Sequence, residues 1–225
     1  MRTSKSLPIA LVVTLFLFPI FNYAQVCKDP SSRLNKLKSD LVTKDSVNRL
    51  VENDLDFLQL RAYDTIADIG SFNGYYPSLY SIFSDSVMFY LNDVIHDGFA
   101  YFDTIQALCT QKRGNKLTNQ FKIILGSENS SNLPSSKFNK VILRDALHHF
   151  KNTSAMLRDV KRVMKSKAIL VLFEPIVNPG SYNSNLCRGS MTKDVFLKLM
   201  EDHGFTINRE LAVADDRYWF EFVLK

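Results

Sequence analysis

A chain of 225 residues with 46% hydrophobic and 12% aromatic residues has enough apolar material for one well-covered core, which excludes a disordered chain. Its 28 Lys and Arg against 23 Asp and Glu give a net charge of +5, too small and too scattered for a nucleic-acid surface, so no nucleic-acid partner is expected. Removal of a leader holding Arg2 and Lys5 lowers the charge to +3.

The amino end reads as such a leader. Arg2 and Lys5 precede an apolar run from Ile9 to Ile20, interrupted by Thr14 and Pro19. The run is too short for a stable membrane span and fits a secretory signal over residues 1–24, cleaved after Ala24. The expected product is exported, to the periplasm or the medium. Ala24-Gln25-Val26-Cys27 offers a lipoprotein alternative. Membrane contact is therefore expected only if Cys27 is lipidated or the leader stays attached. Residues 25–59 read as a helical arm, with Leu34, Leu37, Leu41, Val47, Leu50 and Val51 as its apolar set. Residues 60–225 form the remaining domain.

That domain opens with Tyr63-Asp-Thr-Ile-Ala-Asp68, an apolar run ending in an acid, then Ile69-Gly70-Ser71-Phe72-Asn73-Gly74. A strand, a glycine turn and a helix start cradle nucleotide-like ligands in doubly wound sheets. Asp68 favours a ligand with an amino or cationic group and would crowd a pyrophosphate. Val87 to Asp93 reads as a second buried strand ending in an acid, and Phe121 to Leu125 as a third, followed by Gly126-Ser127-Glu128. Phe138 to Arg144 is a fourth, continuing as Asp145-Ala-Leu-His148-His149-Phe150. Apolar residues at 156, 157, 160, 163 and 164 mark a helix, and Ile169 to Glu174-Pro175 a fifth strand. Thr192 reads as a helix N-cap and Gly204 as its stop. Ile207 to Val213 and Tyr218 to Leu224 read as a closing antiparallel pair.

In this order, the pieces resemble the class I S-adenosylmethionine-dependent methyltransferases over roughly residues 60–225. In particular they resemble bacterial members with an N-terminal signal sequence. Asp68-Ile-Gly-Ser-Phe-Asn-Gly74 is similar to the family's first motif, with Phe72 at the middle glycine. The family's Lys-Pro-Gly-Gly turn is Lys165-Ser-Lys-Ala168 here. The resemblance implies an α/β fold with a doubly wound, mostly parallel seven-stranded sheet in the order 3-2-1-4-5, with the last two segments beyond. The arm would lie over the cofactor cleft. S-adenosylmethionine is the implied cofactor and methyl transfer to an unidentified acceptor the implied reaction. Asp68 would hold the methionine amino group, Gly70, Ser71 and Gly74 would form the turn, and Asp93 would bind the ribose hydroxyls. Ser127 or Glu128 would meet the adenine edge, and His148, Asp145 and Glu174 would line the acceptor side.

Two other readings stand beside this one. Phe72 and the missing glycine turn suit a methyltransferase-like binding module without activity. A dinucleotide-dependent oxidoreductase is disfavoured by Asp68. Of the histidines, a pocket-lining place for His148, with His149 packed under the sheet edge, competes with a general base. After cleavage Cys27, Cys109 and Cys187 remain, and no pair has zinc-ligand spacing, so no metal site is expected. Cys109, after an apolar run, reads as core.

Overall fold

The computed structural model describes residues 35, 38–39, 44–177, 189–214 and 216–225. The leader, Cys27 and Cys187 lie outside the described residues.

Five apolar runs form parallel strands: β1 (Thr65–Ile69), β2 (Met88–Asp93), β3 (Gln120–Leu125), β4 (Phe138–Arg144) and β5 (Met164–Pro175). β6 (Phe205–Ala214) and β7 (Arg217–Leu224) close the sheet, β7 running antiparallel between β5 and β6. The order is β3-β2-β1-β4-β5-β7-β6, which contains the 3-2-1-4-5 order that the resemblance implies, with the last two strands beyond it.

Strand residues alternate between two buried layers, which is why most of these runs are continuously apolar. On one face α1 (Lys44–Leu58), α2 (Tyr75–Tyr80) and α3 (Phe102–Arg113) cover Ile66, Phe89, Leu91, Ile142 and Val171. On the other, α4 (Thr153–Val163) and α5 (Lys193–Asp202) cover Val141, Leu143, Leu170 and Leu172. The stripe on α4 is buried as its spacing demands, and Asn152 caps the helix by accepting from Ala155 N at 3.1 Å. Thr192 sits at the N-cap of α5, although its hydroxyl makes no capping bond.

One junction departs from expectation. α4 ends at Val163 and β5 begins at Met164 without a connecting turn. Against β4, the register jumps from Phe138↔Met164 to Lys140↔Ile169. The surplus residues bulge out, with Lys165, Ser166 and Lys167 exposed. A glycine turn is unnecessary when the excess length leaves the sheet this way.

The described part of the arm at residues 44–59 also differs from expectation. α1 packs flat on the sheet face, and none of its described residues lines the cleft described below. Its last carbonyls, Leu58 O and Gln59 O, accept from Lys140 Nζ at 2.5 and 3.3 Å. A cation at the negative end of a helix stabilises it. Burial pulls the Lys140 pKa down, and Asp64, 3.4 Å away, opposes that shift. Leu50 is exposed, whereas Val47, Val51 and Leu58 are fully buried.

Candidate active site at the carboxyl edge of the sheet

The turn after β1 hangs from β2. Gly70 N and Ser71 N both donate to Asn92 O, at 2.8 and 2.9 Å. Gly70 has a φ of 81°, and a Cβ there would lie 2.5 Å from that of Ala146, so the turns after β1 and β4 touch. Phe72 has a φ of 53°, and its N–H donates to Asp93 Oδ2 at 2.8 Å.

The Phe72 side chain does not line the cleft. It is 5% exposed and lies beneath the 3-10 turn His96–Tyr101, where a Cβ on Gly98 would come 2.7 Å from Phe72 O and 3.3 Å from Phe72 Cδ2. Phe72→Gly should therefore lower stability by about 2 kcal/mol, the loss of a buried ring offset in part by relief of the positive φ. Affinity for a ligand of the cleft described next should barely change. Thermal denaturation and calorimetry check the two halves of this prediction.

A cleft opens at the carboxyl ends of β1 to β4. Of the residues expected to form the site, Gly70, Asp93, Ser127, Glu128 and Asp145 line it. Ile69, Val94, Phe150 and Met156 supply apolar wall. Asp93 is 6% exposed and carries a backbone N–H on each oxygen, the second from Ile95 N to Oδ1 at 3.0 Å. A carboxylate has about four acceptor sites, so each oxygen retains capacity for a ligand hydroxyl. Glu128 forms an exposed ion pair with Lys151 across the rim. Ser127 shapes its own turn, its N–H donating to Ser130 O at 2.7 Å.

Asp68, Ser71, Gly74, His148 and Glu174 do not line this cleft. Gly74 is the N-cap of α2, where a Cβ would press on Leu91 and Phe102 at 2.8 Å. Asp68 pairs in register with Ile142 and so faces the α1–α2 layer. Burial pushes its pKa up to about 6, against the pull of Ser71 and Arg144 and with a further push from Asp93. The Ser71 hydroxyl is close enough to Asp68 to favour its charged form, yet Oγ makes no hydrogen bond of good geometry. Glu174 and His148 bind each other, His148 Nδ1 donating to Glu174 Oε2 at 2.5 Å, with both side chains buried. The acceptor must be the carboxylate, so the imidazole proton is assigned to Nδ1. The two histidines thus exchange the places expected of them: His149 is exposed and lines the cleft, while His148 is buried. Asp145, at φ 51°, is ion-paired with Arg217.

The largest feature that sequence reasoning misses is Arg144, the last residue of β4. Its guanidinium lies 3.7 Å from the Tyr76 ring centroid, 4.3 Å from Phe173 and 5.1 Å from Trp219. Asp54 of α1 meets Nη1 at 2.8 Å, an ion pair without good hydrogen-bond geometry. Asp54 also accepts from Tyr80 OH at 2.9 Å and from Trp219 Nε1 at 3.1 Å. Burial works against the Arg144 charge, but interactions with Tyr80, Asp54 and Tyr76 outweigh it and hold its pKa above the ordinary range. The signal was present in α1: Val47, Val51, Asp54 and Leu58 share one helical stripe, and an acid on a buried stripe needs a cation.

Among the described residues no group of His, Cys, Asp or Glu could hold a metal ion, and no helix is long and apolar enough to cross a membrane. Cys109 is buried, its thiol pushed up to about 12 by that burial.

Strand order, glycine turn and cleft together define the Rossmann-like methyltransferase fold. A family model described as a methyltransferase domain matches residues 97–172. The match begins after the glycine turn, so Phe72 lies outside it. A SAM-dependent methyltransferase from Aquifex aeolicus is similar in structure, with a TM-score of 0.66 at 20% identity, over 88% of this chain and 100% of that one. A putative methyltransferase from Bacillus halodurans C-125 gives 0.59 at 15% identity, over 76% and 94% of the two chains. The cyclase SpnF gives 0.59 at 19% identity, over 76% and 62%. No curated protein matches in sequence. Identities this low establish the fold, and the cyclase shows that the chemistry must be argued from the site.

Proposed function

We propose that the protein transfers a methyl group from S-adenosylmethionine to an acceptor nucleophile. The observation that carries this reading is Asp93 at the end of β2, lining a cleft beside Gly70 at the carboxyl edge of the sheet. The residues fit the cofactor: an acid with spare acceptor capacity for a ribose, apolar wall for a base, and a glycine where the backbone must come close. Ser127 and Glu128 would meet the adenine edge. Asp68, behind the turn, would favour the methionine amino group through its charge or through water.

The cofactor supplies an electrophilic methyl on a sulfonium that leaves as a neutral thioether, so positioning can provide much of the rate. Asp93, Gly70, Ser127 and Glu128 would hold the cofactor so that this carbon meets an acceptor lone pair, with the carbon–sulfur pair staying on sulfur. Asp145 and His149 are the polar groups of the cleft that would face the acceptor. His149 is the better placed of the two histidines to take a proton from it.

The rival reading is a binding module without activity. Of the two features that suit it, Phe72 packs outside the cleft, and the missing glycine turn is replaced by the bulge after α4. Calorimetry with S-adenosylmethionine, S-adenosylhomocysteine and NAD separates the readings. Binding of the first two and not the third supports the proposal, and preference for NAD overturns it. A module would bind without producing S-adenosylhomocysteine in the presence of any acceptor.

Asp93→Ala should weaken cofactor binding at least about tenfold, since a hydrogen bond to a charged group contributes about 1.5–3 kcal/mol. Titration of the variant with S-adenosylhomocysteine checks this. Unchanged affinity would remove Asp93 from the site. Export through residues 1–24 remains part of the proposal, and N-terminal sequencing of protein secreted by a bacterial host tests it.

A further inference from the structure

The segment after β4 supplies Asp145, Ala146, His149, Phe150 and Lys151 to the cleft. It is neither strand nor α-helix there, so its buried N–H groups need partners from elsewhere. One carboxylate provides them. Glu174 Oε1 accepts from Ala146 N at 3.1 Å and from Leu147 N at 2.8 Å, while Oε2 accepts from His148 Nδ1 at 2.5 Å. Three successive residues are thus tied to the end of β5 through a side chain only 3% exposed.

The segment has little slack around those bonds. Asp145 is held at φ 51°, a strained value for a residue with a Cβ. Its N–H donates to Phe173 O at 2.8 Å. Ala146 abuts the glycine turn so closely that Gly70 could carry no side chain. On the far side Gly189 approaches His148 O, where a Cβ would come within 2.3 Å. The buried His148 ring lies 4.0 Å from that of His149, which faces the cleft. Displacing Glu174 would free Ala146 toward the cleft floor and His149 from its ring support.

We propose that Glu174 and His148 are positioning residues that hold the cleft wall formed by residues 145–151, and that neither touches cofactor or acceptor. The effect on ligand affinity rests on the reading of this cleft as the cofactor site. The bonds to the wall do not.

The test compares Glu174→Ala, Glu174→Gln and His148→Asn. The Gln amide oxygen still accepts from both backbone N–H groups, and its nitrogen can donate to the other imidazole tautomer. Asn at position 148 keeps a donor near Nδ1. Affinity for S-adenosylhomocysteine is measured well below each melting temperature, alongside amide exchange at residues 146–149. Glu174→Ala should weaken binding about tenfold or more and speed exchange at these amides, with Glu174→Gln and His148→Asn within about threefold of wild type. A lower melting temperature for Glu174→Ala with unchanged affinity and exchange would overturn the proposal. So would Glu174→Gln as weak a binder as Glu174→Ala, since a direct ligand contact would then need the charge. If Glu174→Ala does not fold, His148→Leu replaces it, with faster exchange at 147–149 expected and unchanged exchange overturning the proposal. If wild type binds no S-adenosylhomocysteine, the cofactor reading falls, and the exchange data alone support or overturn the positioning role.

Discussion

Asp68→Asn should make the protein more stable at pH 7 by about 2–3 kcal/mol. Burial lifts this carboxyl from its ordinary 3.8 to about 6. Between those values the native state holds a proton that the unfolded chain has released, so stability falls as pH rises through this window and levels off above it. A shift of that size corresponds to about 3 kcal/mol at most, and it already sets the Arg144 attraction against the cost of burial. Urea denaturation at pH 4 and pH 7 checks the sign: the variant should gain little at the lower pH and most at the higher. A loss of stability at pH 7 would mean that pairing with Arg144 outweighs desolvation. The same variant should bind S-adenosylmethionine more weakly, and wild-type affinity should drop below about pH 6. An acid kept buried at a cost to stability is the pattern of a group retained for function.

Asp54→Ala should have the opposite effect and a larger one, a loss of about 3–5 kcal/mol. The substitution removes the acceptor shared by Tyr80 OH, Trp219 Nε1 and the Arg144 guanidinium. A buried cation left without its anion costs far more than the pair contributes, because its desolvation is no longer offset. α1 also loses its deepest polar anchor, although Phe57 remains stacked on Trp219 at 5.6 Å. Urea denaturation measures the loss, and limited proteolysis should cut within residues 44–58 first. Asp54→Asn, which keeps acceptor oxygen without charge, should fall between. Equal stability of wild type and Asp54→Ala would show that the aromatic rings alone hold Arg144.

Much of the sheet is legible in the sequence because its strands are apolar runs punctuated by acids and glycines. Asp68, Asp93 and Glu174 each stand at or near the end of such a run, whereas the order of the five parallel strands comes only from the family resemblance. The cleft is legible to the same extent: Gly70, Asp93, Ser127, Glu128 and Asp145 meet there from separate segments. What sequence could not supply is where a side chain points once the strand has left its regular path. His148 and His149 are adjacent, and only the bonds to Glu174 decide which turns inward. Arg144 is missed for a different reason. Its partner lies 90 residues earlier, and an arginine at a strand end looks solvated until the rings of Tyr76, Phe173 and Trp219 close over it.

β7 sits between β5 and β6, although it is the last strand in the chain. Trp219, on that strand, gives α1 both a ring to stack on and a donor for Asp54. Arg209 on β6 adds a second clamp, its guanidinium 4.2 Å from the Phe57 ring centroid and bound to Glu221 of β7 at 2.8 Å. α1 therefore has no finished seat until residues 217–224 have been synthesised. A nascent chain on the ribosome carries part of the surface of Val47, Val51 and Leu58 uncovered until β7 can pair, although Lys140 on β4 can already hold the end of α1. Chaperone demand should accordingly fall on the amino-terminal helix, and truncations that remove β7 should leave that helix as the first segment to aggregate.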